Sequence, residues 1–259
     1  MKTSKFSKIF VITIIALTYL PIISMMIFSF NASKSLTRWT GFSFKWYNEL
    51  FTDPQIIKAV IVTVVIAVFS TIISTIIGTI ASIALTKQRK VLREAALSLN
   101  NIPILNPEII TAVALFLLFG AFAIERGYKT MLLAHIAFST PYVVIAVYPK
   151  VRNLDPNLTD AAYDLGATPV EAIRKVILPQ IKVAIFAGAS IAFTMSFDDF
   201  AISYFAVSDT SIQNISIYLY TLRRGFEPTI NALSTIIILI IMAVVFYDLF
   251  KKRKQTMEE

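Results

Sequence analysis

The chain has 259 residues, of which 56% are hydrophobic and only 15% are charged. Soluble domains carry about 25% charged residues, and a globular protein of this length could not bury so much apolar surface in one core. The composition therefore predicts an integral membrane protein. Cys is absent, which excludes disulfides and thiolate metal sites, and the single His argues against a His-based metal site or catalytic triad.

Six apolar runs are predicted to cross the membrane as helices: residues 9–30, 59–86, 106–122, 130–149, 183–205 and 229–247. Pro21 is expected to kink the first helix, and a bent helical segment over 92–103 is expected before the third, with Pro103 and Pro107 at the bend. The second and fifth runs each carry small residues at every fourth position, which permit close helix contact. These stripes are Ser70, Ser74, Gly78 and Ser82, and Ala184, Gly188, Ala192 and Ser196.

The positive charge is distributed unevenly between the ends of these runs. Although the net charge is +8, the cations form no stripe that would indicate nucleic-acid binding. Most of them lie near the two termini, between the second and third runs, and in residues 150–182. Because positive residues favour the cytoplasmic side, we expect both termini and 150–182 to be cytoplasmic, in a single membrane domain over 1–259.

Residues 160–179 form a polar interval between the fourth and fifth runs. Asp155 can cap a helix that follows it, and Gly166 interrupts that helix. Thr168 and Pro169 then predict the start of a second helix, continuing through Val176 and ended by Pro179. The interval resembles the cytoplasmic coupling loop of ABC-importer permeases in the spacing of Asp160, Ala161, Ala162, Gly166, Val176, Leu178 and Pro179. This resemblance, with apolar Leu165, implies contact with a partner ATPase.

Two adjacent carboxylates stand near the end of the fifth run. Because charged residues inside a bilayer usually face a cavity or a partner, Asp198 and Asp199 are candidates for a cation-attracting site on a translocation path. We favour Asp198, since neighbouring helical residues point about 100° apart. A structural role, as an interfacial cap or paired with Arg223 or Arg224, is the alternative. Further candidate path residues are Phe197, Phe200, Tyr204 and Glu108, although Glu108 could simply complement a helix dipole at the cytoplasmic start of the third span.

Residues 212–224 predict a short amphipathic helix outside the membrane or partly re-entrant, followed by Gly225. Its Tyr218, Tyr220, Arg223 and Arg224 could close the path externally, or the segment could be an ordinary connection. His135 is expected to be a neutral residue bonded to a neighbouring helix.

No two of the seven glycines lie five positions apart, so the chain lacks a P-loop and any ATP must be bound by another subunit. Over nearly its whole length the chain resembles the second membrane subunit of bacterial spermidine/putrescine ABC importers. The matching segments are 20–23, 29–31, 46–47, 106–110, 196–205, 217–218 and 227–233. Asn106 and Glu108 depart mildly from the family pattern.

That resemblance implies a type I ABC importer permease fold with six transmembrane helices in the bacterial plasma membrane. It implies a homologous second permease, two ATPase subunits that bind ATP and Mg, and an extracytoplasmic binding protein, with no cofactor on this chain. Polyamine uptake by alternating access is the expected function. The alternatives are import of another solute such as ferric iron, a passive channel that works without ATPases, and an intramembrane aspartyl protease, which sequential aspartates on one helix oppose.

Overall fold

The computed structural model describes residues 5–35, 37–155, 157–208, 212–222 and 228–258. In this part of the chain the regular structure is helical, apart from a single antiparallel bridge between Asn31 and Phe42. In chain order the helices are α1 (Lys5–Phe28), α2 (Lys45–Thr52), α3 (Pro54–Thr86), α4 (Lys90–Leu105), α5 (Glu108–Ala121), α6 (Tyr128–Arg152), α7 (Asn157–Asp164), α8 (Pro169–Ala172), a π-helical turn (Ile173–Ile177), α9 (Leu178–Asp198), α10 (Ala201–Ala206), α11 (Ile215–Thr221) and α12 (Pro228–Glu258).

Four helical stretches are long and apolar enough to cross a membrane: Ser7–Phe28, Pro54–Thr86, Tyr128–Arg152 and Pro169–Asp198. A fifth span results if α4 and α5 are counted as one bent crossing. The described part of the last helix contributes a shorter apolar stretch, Pro228–Ala243. The predicted multi-pass helical architecture is confirmed to this extent, and Pro21 lies within α1 as expected.

The predicted bend before the third span is also confirmed. The chain bends by 108° between α4 and α5, and Asn106 at the bend is extended because the following Pro107 disfavours a helical conformation at that position. Helix α5 has only 14 residues, or about 21 Å, which is shorter than the ~30 Å hydrocarbon core. Its first residue is Glu108, so the predicted position of Glu108 at the start of this helix is confirmed.

The fifth predicted span, 183–205, differs from the structure because it is interrupted. Helix α9 ends at Asp198, Asp199 is extended (φ −64°, ψ 130°), and the separate helix α10 follows from Ala201. The interruption is stabilised by the Asp199 carboxylate, which accepts hydrogen bonds from the first free N–H groups of α10. The assumption that Asp198 and Asp199 are successive residues of one helix was therefore wrong.

The prediction that Pro179 ends the coupling helix is wrong as well. The helix continues from Pro169 to Asp198 through the π-helical turn, with Pro179 at the second position of α9. A proline inside a helix lacks an N–H donor and crowds the carbonyl four residues earlier. The wider π-helical turn immediately before it loosens the hydrogen-bond register there, so the chain keeps its helical direction.

The chain forms two compact units, residues 1–57 with 222–259 and residues 58–221. In the first unit α1 and α2 pack on α12, and the buried Trp46 indole donates to the Asn31 carbonyl at 2.6 Å. In the second unit α6 is central, packing along α9 and also against α4, α5 and α10. Its buried Val143 and Val147 form a core with Ile181 and Ala192 of α9.

Both predicted small-residue stripes face α6. A methyl group added at Gly78 of α3 would lie 2.7 Å from Val143 side-chain atoms, and one at Gly188 of α9 would lie 3.3 Å from Val143. Ser70, Ser74, Ser82 and Ser196 are buried, as is Ala192. The α6 helix is therefore held between two helices that approach it where side chains are missing or small.

We predict that Gly78→Ala lowers the free energy of unfolding by about 1–3 kcal/mol, because the added methyl group overpacks against the branched Val143 side chain. The matched control is Gly120→Ala in α5, where no atom lies within 4 Å of the added group and the gain in helix propensity is about 0.5–1 kcal/mol. Thermal unfolding of the purified complex measures both. Gly78→Ala combined with Val143→Ala should be less destabilised than the sum of the single changes, and strict additivity would contradict the proposed contact.

Candidate functional site

The Asp199 carboxylate is the centre of a buried polar cluster in the second unit. Oδ1 accepts from the Ile202 N–H at 3.0 Å, and Oδ2 accepts from the Ser203 N–H at 2.7 Å. Oδ2 also lies 3.3 Å from Nε2 of His135, and Asp199 is only 3% exposed. A buried carboxylate is costly unless charge and hydrogen bonds compensate for the lost water, and these three partners supply that compensation.

His135 connects α6 to both sides of the helix break. Its Nδ1 lies 2.6 Å from the Ser196 hydroxyl of α9, and its Nε2 lies 2.9 Å from the Ser203 hydroxyl of α10. The Ser196 hydroxyl in turn accepts from Ser70 of α3 at 2.9 Å. The expectation of a His bonded to a neighbouring helix is confirmed, but no local pattern predicts that its partners flank Asp199.

Asn214 fixes α11 against the same break, and sequence reasoning missed it. Its side-chain nitrogen donates to the Asp199 carbonyl at 2.9 Å and to the Ser203 hydroxyl at 2.8 Å. Its side-chain oxygen accepts from the Ile217 N–H, capping α11. Thr63 of α3 adds a further bond, accepting from the Ile215 N–H at 2.8 Å. The sequence signal that could have identified Asn214 is a single Asn directly before an apolar helical segment, where it can cap the helix.

Asp198 differs from its neighbour because its side chain is exposed. The Glu108 side chain, also exposed, lies close enough to interact with the carboxyls of both aspartates. The bend between α4 and α5 brings Glu108 to this place, whereas sequence reasoning put it at the cytoplasmic edge. Glu108 and Asp198 thus present two carboxylates on one accessible surface beside the buried Asp199.

Phe200, two residues after Asp198 along the chain, belongs to a cluster of aromatic rings from α10 and α11. The ring centroid of Phe200 lies 4.8 Å from that of Tyr220 and 5.5 Å from that of Tyr204, and the two tyrosine rings are 5.8 Å apart. Tyr204 and Tyr220 remain 43% and 67% exposed. We call Glu108, Asp198, Phe200, Tyr204 and Tyr220 the acidic-aromatic surface. It offers negative charge and ring faces, the two features that attract organic cations.

The other predicted site residues are placed differently. Phe197 stacks on Phe193 at 5.6 Å, within α9. Tyr218 is buried, whereas Tyr220 of the same short helix is exposed. The predicted segment 212–224 contains the shorter helix α11, whose Ser216 hydroxyl donates to the Asp198 carbonyl at 3.4 Å, and its place outside the membrane stays a prediction. Arg223, Arg224 and Gly225 lie outside the described residues.

The predicted coupling segment has the expected helix–glycine–helix form. Asp155 accepts from the Asn157 N–H at the start of α7, and Gly166 adopts φ +80°, which favours glycine. Thr168 and Glu171 then form a reciprocal capping box at the start of α8.

Two large apolar side chains project from this segment. Leu165 is 89% exposed and Val170 is 72% exposed, while Ala162 is buried against the rest of the unit. Asp160 and Ala161 are exposed on α7, Val176 and Leu178 are half-buried, and Pro179 is exposed. An apolar surface on a polar, solvated segment is typical of a protein contact.

Comparisons with known proteins identify the family to which the chain belongs. The sequence model of the family described as binding-protein-dependent transport system inner membrane component matches residues 74–256. The chain is 36% identical over 246 residues to the spermidine/putrescine transport system permease protein PotC of Haemophilus influenzae, covering 95% of each chain. It is 34% identical over 227 residues to the putrescine transport system permease protein PotI of Escherichia coli K12, covering 85% of this chain and 81% of that one.

Among solved structures, the chain resembles a bacterial ABC transporter involved in the import of the acidic polysaccharide alginate. The TM-score is 0.73 at 15% identity, and the match covers 97% of this chain and 99% of the other. The helical fold and these relatives define a multi-pass membrane permease of the ABC-importer class, a transport subunit and not an enzyme. The chain belongs to the binding-protein-dependent transport system inner membrane component family.

The two neighbouring aspartates should respond differently to truncation. We predict that Asp199→Ala lowers the free energy of unfolding by about 1–3 kcal/mol, because the buried Ile202 and Ser203 N–H groups lose their acceptor. Asp198→Ala, the matched control on an exposed side chain, should change it by no more than about 0.5 kcal/mol. Thermal unfolding of the assembled complex tests this difference, and equal shifts in the two variants would contradict the buried role of Asp199.

Proposed function

We propose that this chain is the permease subunit of an ATP-driven importer in the bacterial plasma membrane, and that it takes up polyamines by alternating access. It acts in this proposal with a homologous second permease, two ATPase subunits and an extracytoplasmic binding protein. ATP and Mg bind to the ATPase subunits, and this chain binds no cofactor. The names of the spermidine and putrescine permeases that it resembles support the substrate class.

The observation that carries the proposal is the acidic-aromatic surface. An aliphatic polyamine is a chain of methylene groups with a positive charge at each amine. Glu108 and Asp198 supply charge that such a cation can pair with, and Tyr204 and Tyr220 supply ring faces for cation–π contact. Apolar ring faces also suit the methylene groups between the amines.

In this proposal the paired aspartates have separate tasks. Asp198, exposed at the end of α9, contacts the substrate. Asp199, which is buried and contacts His135, is a positioning residue. It fixes the helix break from which Asp198 projects. Phe197 belongs to the path through its place beside Asp198. Tyr218 and Tyr220 belong to the external gate, for which Arg223 and Arg224 remain sequence-based candidates.

The proposed topology has six transmembrane helices within one permease domain, with both termini in the cytoplasm. In this arrangement the segment 150–182 is cytoplasmic and contacts an ATPase subunit. Exposed Leu165 and Val170 provide the apolar contact, and Gly166 makes the turn between α7 and α8. A short rigid element of this kind can pass a displacement of the ATPase to the spans on either side.

Two other functions compete with polyamine import. The carboxyl and phenol oxygens of the acidic-aromatic surface could also bind ferric iron, so the choice of a polyamine rests on the names of the spermidine and putrescine permeases that the chain resembles. A passive channel needs no coupling segment, so the exposed apolar pair Leu165 and Val170 favours a subunit that docks on a partner.

We expect Asp198→Asn and Glu108→Gln each to reduce uptake of radiolabelled putrescine by roughly tenfold or more, because a charge-assisted contact contributes about 1.5–3 kcal/mol. The assay uses proteoliposomes with the complete importer, saturating binding protein and substrate, and enclosed ATP. Asp198→Glu, which keeps the charge, should restore most of the rate, and Glu94→Gln on exposed α4 is the control for loss of an unrelated carboxylate.

The same assay separates the competing functions. Uptake that continues without ATP or without the ATPase subunits would favour the channel. Unchanged rates in both Asp198→Asn and Glu108→Gln would remove the acidic-aromatic surface from the transport path. Uptake of ferric iron in place of putrescine by the complete importer would overturn the substrate class while leaving the permease assignment intact.

The proposed topology can be tested by thiol labelling, since the chain contains no Cys that would react in the background. Leu165→Cys is preferred to a Cys at Gly166, where φ +80° disfavours any side chain. With a membrane-impermeant maleimide on intact cells, Arg38→Cys should label at once and Leu165→Cys only after permeabilisation. Labelling of Leu165→Cys on intact cells would place the coupling segment outside and contradict the proposal.

A further inference from the structure

A cavity of about 210 Å³ lies at the base of the coupling segment, apart from the acidic-aromatic surface. Its walls come from the end of α3, the start of α4, the end of α6, α7, the π-helical turn and the start of α9. The cavity is therefore located where the membrane spans join the segment proposed to contact the ATPase. It is smaller than the ~300–1,000 Å³ pockets that hold drug-sized ligands, and so suits a compact group.

The charge around this cavity is mostly positive. Lys87, Arg93 and Arg152 line it, against the single carboxylate of Asp155. Among the described residues, the ion pairs are Lys90–Glu94, His135–Asp199 and Lys175–Glu171, so none of the three lining cations is paired with a carboxylate. The Asp155 carboxylate already accepts the Asn157 N–H at 3.0 Å. The cavity thus favours an anion and disfavours the proposed polyamine substrate.

The remaining walls are apolar with a few hydrogen-bonding groups. Ile83, Leu158 and Ile177 line the apolar side, and Thr159 and Gln180 add polar side chains. Two planar guanidinium groups and an ammonium match the oxygens of a phosphate group, which Arg can bind through paired hydrogen bonds. The apolar side suits the glycerol and ester carbons to which a lipid phosphate is attached.

We propose that this cavity binds a phosphate ester, supplied by the headgroup of an anionic phospholipid of the cytoplasmic leaflet. Basic pockets between membrane helices on the cytoplasmic side bind anionic headgroups, and anionic lipids are enriched in that leaflet. The proposal uses the orientation proposed above but does not depend on the transported substrate. A headgroup in this position contacts α3, α6 and α7 at once, and so links the coupling segment to the bilayer.

The test is lipid retention by the complete importer in nanodiscs of phosphatidylethanolamine and phosphatidylglycerol, counted by native mass spectrometry. The cavity variant carries Lys87→Gln, Arg93→Gln and Arg152→Gln. The control variant removes equal charge outside the cavity lining through Arg89→Gln, Lys150→Gln and Lys182→Gln. Since each cation near an anionic headgroup contributes roughly a fivefold factor, affinity for phosphatidylglycerol should fall on the order of 100-fold in the cavity variant only.

Two further arms identify the source of the phosphate and guard against misfolding. Adding inorganic phosphate should not displace phosphatidylglycerol from the wild-type importer. If phosphate displaces the lipid, the same cavity is instead assigned to free phosphate. Leu158→Trp should fill the cavity without changing the charge, and should reduce retention even if the triple variant fails to assemble.

The proposal would be overturned if the wild type, the triple cavity variant and Leu158→Trp retained equal amounts of phosphatidylglycerol. It would also be overturned if the triple cavity variant and the triple control variant lost equal amounts of this lipid. The readout does not involve transport. An importer that takes up putrescine but retains no phosphatidylglycerol therefore removes this inference alone, whereas retained lipid without putrescine uptake removes only the proposed substrate.

Discussion

The geometry of the candidate site depends on one buried carboxylate. Asp199 binds the first free N–H groups of α10 and contacts His135, so a span of the second unit can break inside the protein without leaving those backbone groups unpaired. The Asp199 carbonyl and the Ser203 hydroxyl also accept hydrogen bonds from the Asn214 side chain, and these bonds hold α11 at the same point. Without the break, Asp198 would be an ordinary residue inside a helix, and Tyr220 would have no fixed place beside Phe200.

Two chemically identical neighbouring side chains thus differ in burial, and the proposed function gives them different roles for that reason. Asp199 satisfies backbone donors and a His, and so has little capacity left for a substrate. Asp198 leaves its carboxylate exposed, and Glu108 approaches from another helix to interact with both aspartates, with Asp199 more strongly than with Asp198. A site that recognises an extended cation needs charges that are accessible and fixed in separation. The buried pair of Asp199 and His135 fixes the helix end from which Asp198 projects.

Much of the fold can be predicted from local sequence. Long uncharged runs predict the spans, the prolines before α5 predict the bend, and Thr168 and Glu171 predict the start of α8. What the sequence could not predict depends on contacts far apart along the chain. The mostly apolar run 183–205 indicated one helix, because the contact of Asp199 with His135, 64 positions earlier in the chain, cannot be seen in the local sequence. The proximity of Glu108 to Asp198 likewise depends on the 108° bend between α4 and α5, and the spacing of the prolines does not specify the size of that bend.

The continuation of the helix through Pro179 changes how the two ends of the second unit are related. A helix that stopped there would separate the coupling segment from the candidate site by a loop, which would absorb a displacement. The helix instead extends over 30 residues, about 45 Å, from Pro169 to Asp198. The capping box of Thr168 and Glu171 lies at its first turn, and its last residue belongs to the acidic-aromatic surface. Gly188 and Ala192 keep this helix close to α6 with few large side chains between them. In the proposed function, a displacement of the ATPase that reaches the start of this helix at Pro169 is carried along it to Asp198, and the π-helical turn is an irregular stretch where it can bend.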